Sequence, residues 1–240
     1  MQTLVLLPGL MCNAQVWSPL YPFLPEDIKP WVADYGPAQN LQVMAHQVLE
    51  QAPPRFALAG HSMGGRVALE VVRMAPQRVS HLALLDTGYL ARAAGEAGEQ
   101  EAAKRYALLE VARQQGVRAM AQSWVQGMVH PARLQDSTLV NAVLDMFDVK
   151  TAEIFASQIK ALLDRPDASD VLRSLNGLHM PTLLQCGAQD SWASPAQHAE
   201  MHKLVPHAVL DVIPDAGHMA PMERPQAVAA SLARWLSRNA

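Results

Sequence analysis

Six short apolar runs, set apart by helix-like patterns, constrain this 240-residue sequence more than any other feature. They are Thr3 to Leu7, Trp31 to Asp34, Arg55 to Ala59, His81 to Leu85, Thr182 to Cys186 and Val209 to Ile213. None alternates apolar with polar residues, as a strand with one wet face would. Near-continuous apolarity suits strands covered on both faces, and hence a parallel sheet. Helical spacing fills Leu41 to Gln51, Met63 to Met74, Pro195 to Leu204 and Pro225 to Ser237. Pro195 and Pro225 stand where a first helical turn has no N–H to lose. Strand and helix in alternation predict an α/β chain with an open, mostly parallel, doubly wound sheet.

One interval breaks this rhythm. From Gly88 to about His179 no run reads as a strand. Glu96 to Gln115 is helical by composition, and further helices are expected over Val117 to Met128, Ser137 to Phe147, Ala152 to Leu163 and Asp170 to Leu175. The Ala/Gly/Glu-rich stretch from Ala91 to Ala103 reads as a loop entering a helix. The interval is too long and too well patterned for a loop. The expected organisation is a core of residues 1–87 and 180–240, with a helical cap of residues 88–179 inserted before the last two strands.

Bulk properties narrow the classes of function. Half of the residues are hydrophobic and 17% are charged, as in a globular protein. The net charge of −3 offers no electrostatic footprint for nucleic acid or an anionic membrane. No run reaches the ~18 apolar residues of a membrane span. The opening MQTLVLLPGL lacks a basic segment and breaks at Pro8-Gly9, unlike a signal peptide. A soluble, cytoplasmic protein is expected. Cys12 and Cys186 are far apart and in no metal spacing, so both read as free buried thiols.

The chemistry centres on Gly60-His61-Ser62-Met63-Gly64, between the run ending at Ala59 and the helix of Met63 to Met74. A serine on a strand-to-helix turn sits in a sharp backbone, and small flanking residues let strand and helix pass closely. The following N–H, that of Met63, falls at a helix N-terminus, where negative charge is favoured. Ser62 is therefore the candidate nucleophile. A serine needs a base. His218, in the late loop Asp215-Ala216-Gly217-His218-Met219, is the candidate. The base needs an orienting carboxylate. Asp190 ends Gly187-Ala188-Gln189-Asp190, just past a strand, where sites of such sheets form. Asp86, after an earlier strand, is a rival acid, and Asp215 a third candidate.

With these motifs in order, the chain resembles the α/β-hydrolase fold superfamily, of the capped esterase and lipase type. The likeness runs through LVLLPGL, GHSMGG, PTLLQCGAQD and DAGHMAPMERP. It implies a catalytic triad of Ser62, Asp190 and His218 and an oxyanion hole from the backbone N–H groups of Met63 and Leu10. Leu10 follows Pro8-Gly9, where many relatives carry His-Gly. The family's initial antiparallel hairpin is not found ahead of Thr3. The implied activity is hydrolysis of a small or medium carboxylic ester, a small-molecule substrate, without metal or organic cofactor. The same scaffold also resembles C–C bond hydrolases, enol-lactonases, perhydrolases and lyases, and some relatives with intact triads are non-enzymatic ligand sensors.

Other tempting residues read more plainly. His198 and His202 lie one helical turn apart, but Glu200 is misplaced for a zinc helix, so a solvated face is expected. Cys12 is expected to pack, though it follows the first strand and could line a pocket. The elbow should turn His61 away from the site, into packing. Met120, Trp124, Met128, Met146, Phe147 and Phe155 are expected to form mostly the core of the cap, with a minority lining an apolar site.

Overall fold

The computed structural model describes residues 1–238. Six strands form one sheet: β1 (Gln2–Leu7), β2 (Ile28–Val32), β3 (Phe56–His61), β4 (Val79–Leu85), β5 (Thr182–Gly187) and β6 (Val209–Ile213). All adjacent pairs are parallel, in the order β2-β1-β3-β4-β5-β6. Every residue of β3 and β4 is buried, as a run covered on both faces requires.

The edges differ. β2 and β6 are half-exposed and carry Lys29, Pro30 and Asp211, residues that discourage further strands from adding. They also explain the one displaced strand. The second strand, expected over Trp31 to Asp34, runs over Ile28–Val32. Lys29 and Pro30 interrupt its apolar run. Pro30 is tolerated opposite Leu4 because an edge strand ladders on one side only.

The helices are α1 (Leu41–Gln51), α2 (Met63–Met74), α3 (Glu96–Gln115), α4 (Val117–Trp124), α5 (Ser137–Asp148), α6 (Ala152–Leu163), α7 (Ser169–Leu178), α8 (Pro195–Leu204), α9 (Ala220–Glu223) and α10 (Pro225–Leu236). Asn40 starts α1 by accepting from the N–H groups of Gln42 and Val43, and Thr151 starts α6 by accepting from Ile154. Pro195 and Pro225 occupy first-turn positions. The chain between β4 and β5 contains α3 to α7 and no strand. Of these, α3 packs on α4 and α6, and α4 on α5, whereas α7 packs against α2 and α8 beside the sheet.

Candidate active site

The carboxyl ends of four strands converge on one spot. Ser62 follows β3, Asp190 follows β5, His218 follows β6 and Leu10 follows β1, the crevice position general to open α/β sheets. Ser62 has φ 55° and ψ −118°, a left-handed, strained backbone costing about 1–3 kcal/mol. Surrounding contacts hold it there. The Ser62 N–H donates to the Leu85 carbonyl at 2.9 Å, and the Thr87 hydroxyl donates to the Ser62 carbonyl at 2.6 Å. Gly60 and Gly64 make the turn possible. A Cβ on Gly64 would collide with the Leu7 carbonyl, and one on Gly60 with the Gly64 carbonyl.

The three candidate side chains form one hydrogen-bonded chain. Ser62 Oγ lies 2.8 Å from His218 Nε2, and His218 Nδ1 lies 2.8 Å from Asp190 Oδ2. An ionised carboxylate only accepts, so Nδ1 carries the proton and Nε2 is free to accept from the serine. The other Asp190 oxygen, Oδ1, accepts the N–H groups of Trp192 and Ala193 at 2.8 and 2.9 Å. Burial alone would raise its pKa. The His218 ring and those two amides outweigh burial and hold Asp190 below the usual carboxylate range.

His218 is placed by its loop. Glu223 Oε1 accepts the Gly217 N–H at 2.8 Å, and Oε2 accepts the His130 N–H at 2.7 Å. The Met219 N–H donates to the Met128 carbonyl. These bonds fasten the His218 loop to the segment after α4. Gly217 permits the approach, since a Cβ there would stand 2.7 Å from the His130 nitrogen.

The rival acids stand elsewhere. Asp86 is fully buried after β4 and accepts the Gly187 N–H at 2.8 Å. Burial, with the Asp190 charge nearby, raises its pKa well above the ordinary range. It serves as a strand-end acceptor and does not bond His218. Asp215 is exposed and pairs with Arg224 at 3.2 Å.

Two sequence readings change. His198 does not lie on a solvated face. It is fully buried on the inner side of α8, with Nδ1 on the Ser194 carbonyl, because α8 packs that face against β5. Among the described residues no cluster of His, Cys, Asp and Glu could hold a metal ion. His61 is buried as expected but is not turned away. Its Nε2 lies 2.8 Å from the His218 carbonyl, and its ring centroid 5.3 Å from that of His218. A carbonyl only accepts, so Nε2 carries the proton. Burial, then the neighbouring His218, pulls the pKa of His61 down to about 3 and keeps the ring neutral.

A cavity of about 720 Å³ opens over Ser62 and His218. Its walls include Gly9, Leu10 and Cys12 below, and Trp124, Met128 and Phe155 from the inserted segment. Met120, Met146 and Phe147 are buried core. Cys12 both packs and lines the cavity, its thiol pushed up to about 12 by burial. Met63 begins α2, so its N–H has no acceptor within the helix. Leu10 sits in the turn closed by the Cys12 N–H on the Gly9 carbonyl. Sequence patterns gave no notice of Trp192, in a loop, which stacks on Trp124 at 5.6 Å and covers the His218 ring at 4.9 Å. Arg66 was equally silent, although its place one turn after Ser62 on an apolar helix was a usable signal.

The model of the alpha/beta hydrolase fold family matches residues 40–225. The chain belongs to that family. This alpha/beta hydrolase is 43% identical over 88 residues to a pimeloyl-[acyl-carrier protein] methyl ester esterase of Klebsiella pneumoniae, covering 33% of this chain and 34% of that one. The matched part therefore spans about a third of that relative's length. Its likeness to the esterase of the same name from Aliivibrio salmonicida is 26% over 224 residues, covering 90% of this chain and 84% of the relative. A thermophilic esterase from Thermogutta terrifontis shares the fold with a TM-score of 0.83 at 23% identity, over 98% of this chain and 89% of that one. No helix among the described residues is long and apolar enough to cross a membrane.

Proposed function

We propose that this alpha/beta hydrolase cleaves a small or medium carboxylic ester through an acyl-enzyme on Ser62. The observation that carries the reading is the unbroken chain from Ser62 Oγ through His218 to Asp190, both links 2.8 Å, at the floor of the cavity. Ser62 Oγ attacks the ester carbonyl and passes its proton to His218 Nε2. The tetrahedral adduct collapses, and the departing alcohol takes that proton. Water, activated by the same nitrogen, then hydrolyses the acyl-enzyme. Asp190 holds the productive tautomer of His218 and stabilises its cation. The N–H groups of Met63 and Leu10 receive the oxyanion, each worth roughly 3 kcal/mol. These steps call on no metal or organic cofactor. Of the helices in residues 88–179, α3 to α6 act as a cap that excludes water and shapes the pocket, while α7 packs beside the sheet. Likeness to methyl ester esterases supports an ester of a small alcohol.

Reaction with a fluorophosphonate, followed by digestion and mass mapping, tests this reading alongside p-nitrophenyl esters of increasing acyl length. The expected adduct is on Ser62 and disappears in His218→Ala. Ser62→Ala should lower kcat by roughly 10⁶. Folded protein giving neither adduct nor turnover would overturn the assignment.

A further inference from the structure

The cavity wall beside the nucleophile is strongly cationic. Arg66, Lys104, Arg105 and Arg165 line it. Three carboxylates share the lining, and none of them pairs with Arg66, although Glu101 offsets two of the other arginines. Glu101 receives Arg165 on both oxygens at 2.7 Å and Arg105 at 2.9 Å. Asp86 accepts the Gly187 N–H, and Glu200 pairs with Lys203 at 2.6 Å. No carboxylate lies within ion-pair reach of Arg66 among the described residues.

Among the described residues Arg66 has a single protein acceptor. Its Nη1 donates to the Leu90 carbonyl at 2.8 Å, and Arg165 Nε reaches the same oxygen at 3.3 Å. Two guanidinium groups thus meet at one neutral oxygen, an arrangement their mutual repulsion opposes. Burial, then Arg165, draws the pKa of Arg66 down to about 9. Gly88 leaves the guanidinium room, since a Cβ there would stand 2.8 Å from Nη2. Position adds a direction. Arg66 lies four residues past Ser62 on α2, one helical turn and so on the nucleophile's side of the helix.

We propose that Arg66, flanked by Arg165, binds a carboxylate on the substrate, so that the preferred ester is the half-ester of a short dicarboxylic acid. This rests on the ester hydrolase reading. A guanidinium fork matches the two oxygens of a carboxylate, and a partly buried site strengthens the pairing. The ester end lies over Ser62 while the free acid lies against the arginines. The separation of the two ends then selects one chain length of diacid over its neighbours.

Monomethyl and dimethyl esters of the diacids from succinic to suberic test this. The expected result is a maximum in kcat/KM for one monomethyl ester within the series, well above its dimethyl counterpart. Arg66→Met should lower kcat/KM for that half-ester by roughly 10- to 100-fold, mainly through KM, and lower the dimethyl ester far less. Arg66→Lys should restore part of the difference. Equal losses on both esters, or no preference in the unaltered enzyme, would overturn the proposal. Calorimetry of adipate binding to Ser62→Ala separates the two readings. Binding that depends on Arg66 in an enzyme without esterase activity would sink the hydrolase reading and keep the anion site. Turnover of neutral esters without adipate binding would do the reverse. Tighter binding of inorganic phosphate than of adipate would overturn the carboxylate assignment.

Discussion

The Nε2–H of His61 donates to the main-chain carbonyl of His218 at 2.8 Å, so the residue just before Ser62 anchors the backbone that carries the His218 ring. Proximity and orientation are thereby coupled across two loops that the sequence keeps far apart. His61→Ala should lower kcat by roughly 10- to 100-fold with little change in KM. His61→Gln, which can still donate, should recover much of the loss. Steady-state kinetics on a p-nitrophenyl ester reads both. An alanine variant with unaltered kcat would show that the loop holds His218 without this bond.

The same histidine ties stability to pH. It takes up a proton in the fold only near pH 3, against 6.5 in the unfolded chain. Between those values the unfolded chain binds more protons, so stability is complete above about 6.5 and is lost progressively as pH falls toward 3. Urea midpoints at pH 7.5, 6 and 5 should decline, and His61→Gln should flatten the decline. Parallel curves for the two proteins would count against a buried neutral His61.

Two buried acids should part company under the same substitution. Asp190→Asn keeps its oxygen on the Trp192 and Ala193 N–H groups and turns an NH2 donor toward His218 Nδ1. This imposes the wrong tautomer, and kcat should fall roughly 10⁴-fold, the loss known for the equivalent change in a serine protease. Asp86→Asn keeps an oxygen for the Gly187 N–H and replaces an acid whose surroundings favour its neutral form. Its kcat should stay within about tenfold of the original. A reversed order would make Asp86 the orienting acid.

Both thiols should be silent in the native protein. Cys12 and Cys186 are buried, and burial raises both pKa values, which starves each of the reactive thiolate. Iodoacetamide at pH 8 should leave native protein unmodified by intact mass and alkylate both residues in urea. Rapid labelling of Cys12 would show the cavity floor to be more open than the structure has it.

How much of this was legible in the sequence depended on how local each signal was. The strand at Val209–Ile213 and the helices at Leu41–Gln51, Met63–Met74 and Glu96–Gln115 were readable to the residue, because apolar runs and caps are contiguous. That Ser62, Asp190 and His218 would meet at one end of the sheet was legible because each follows a recognisable strand. The second strand slipped because Pro30 masks it, and its tolerance depends on an edge position known only once neighbours are assigned. His198 was misjudged because which side of α8 faces β5 is a tertiary fact. His61, Glu223 and Trp192 act through backbone and ring contacts between distant loops. Their side chains carry no periodic signature.

Trp192 follows Asp190 on the sheet side, Trp124 closes α4 in the inserted segment, and their rings stack at an interplanar angle of 24°. Any parting of the inserted helices from the sheet must unstack them and expose the imidazole beneath. The stacked pair is therefore an optical reporter built into the protein, one that registers the seating of the helices over His218.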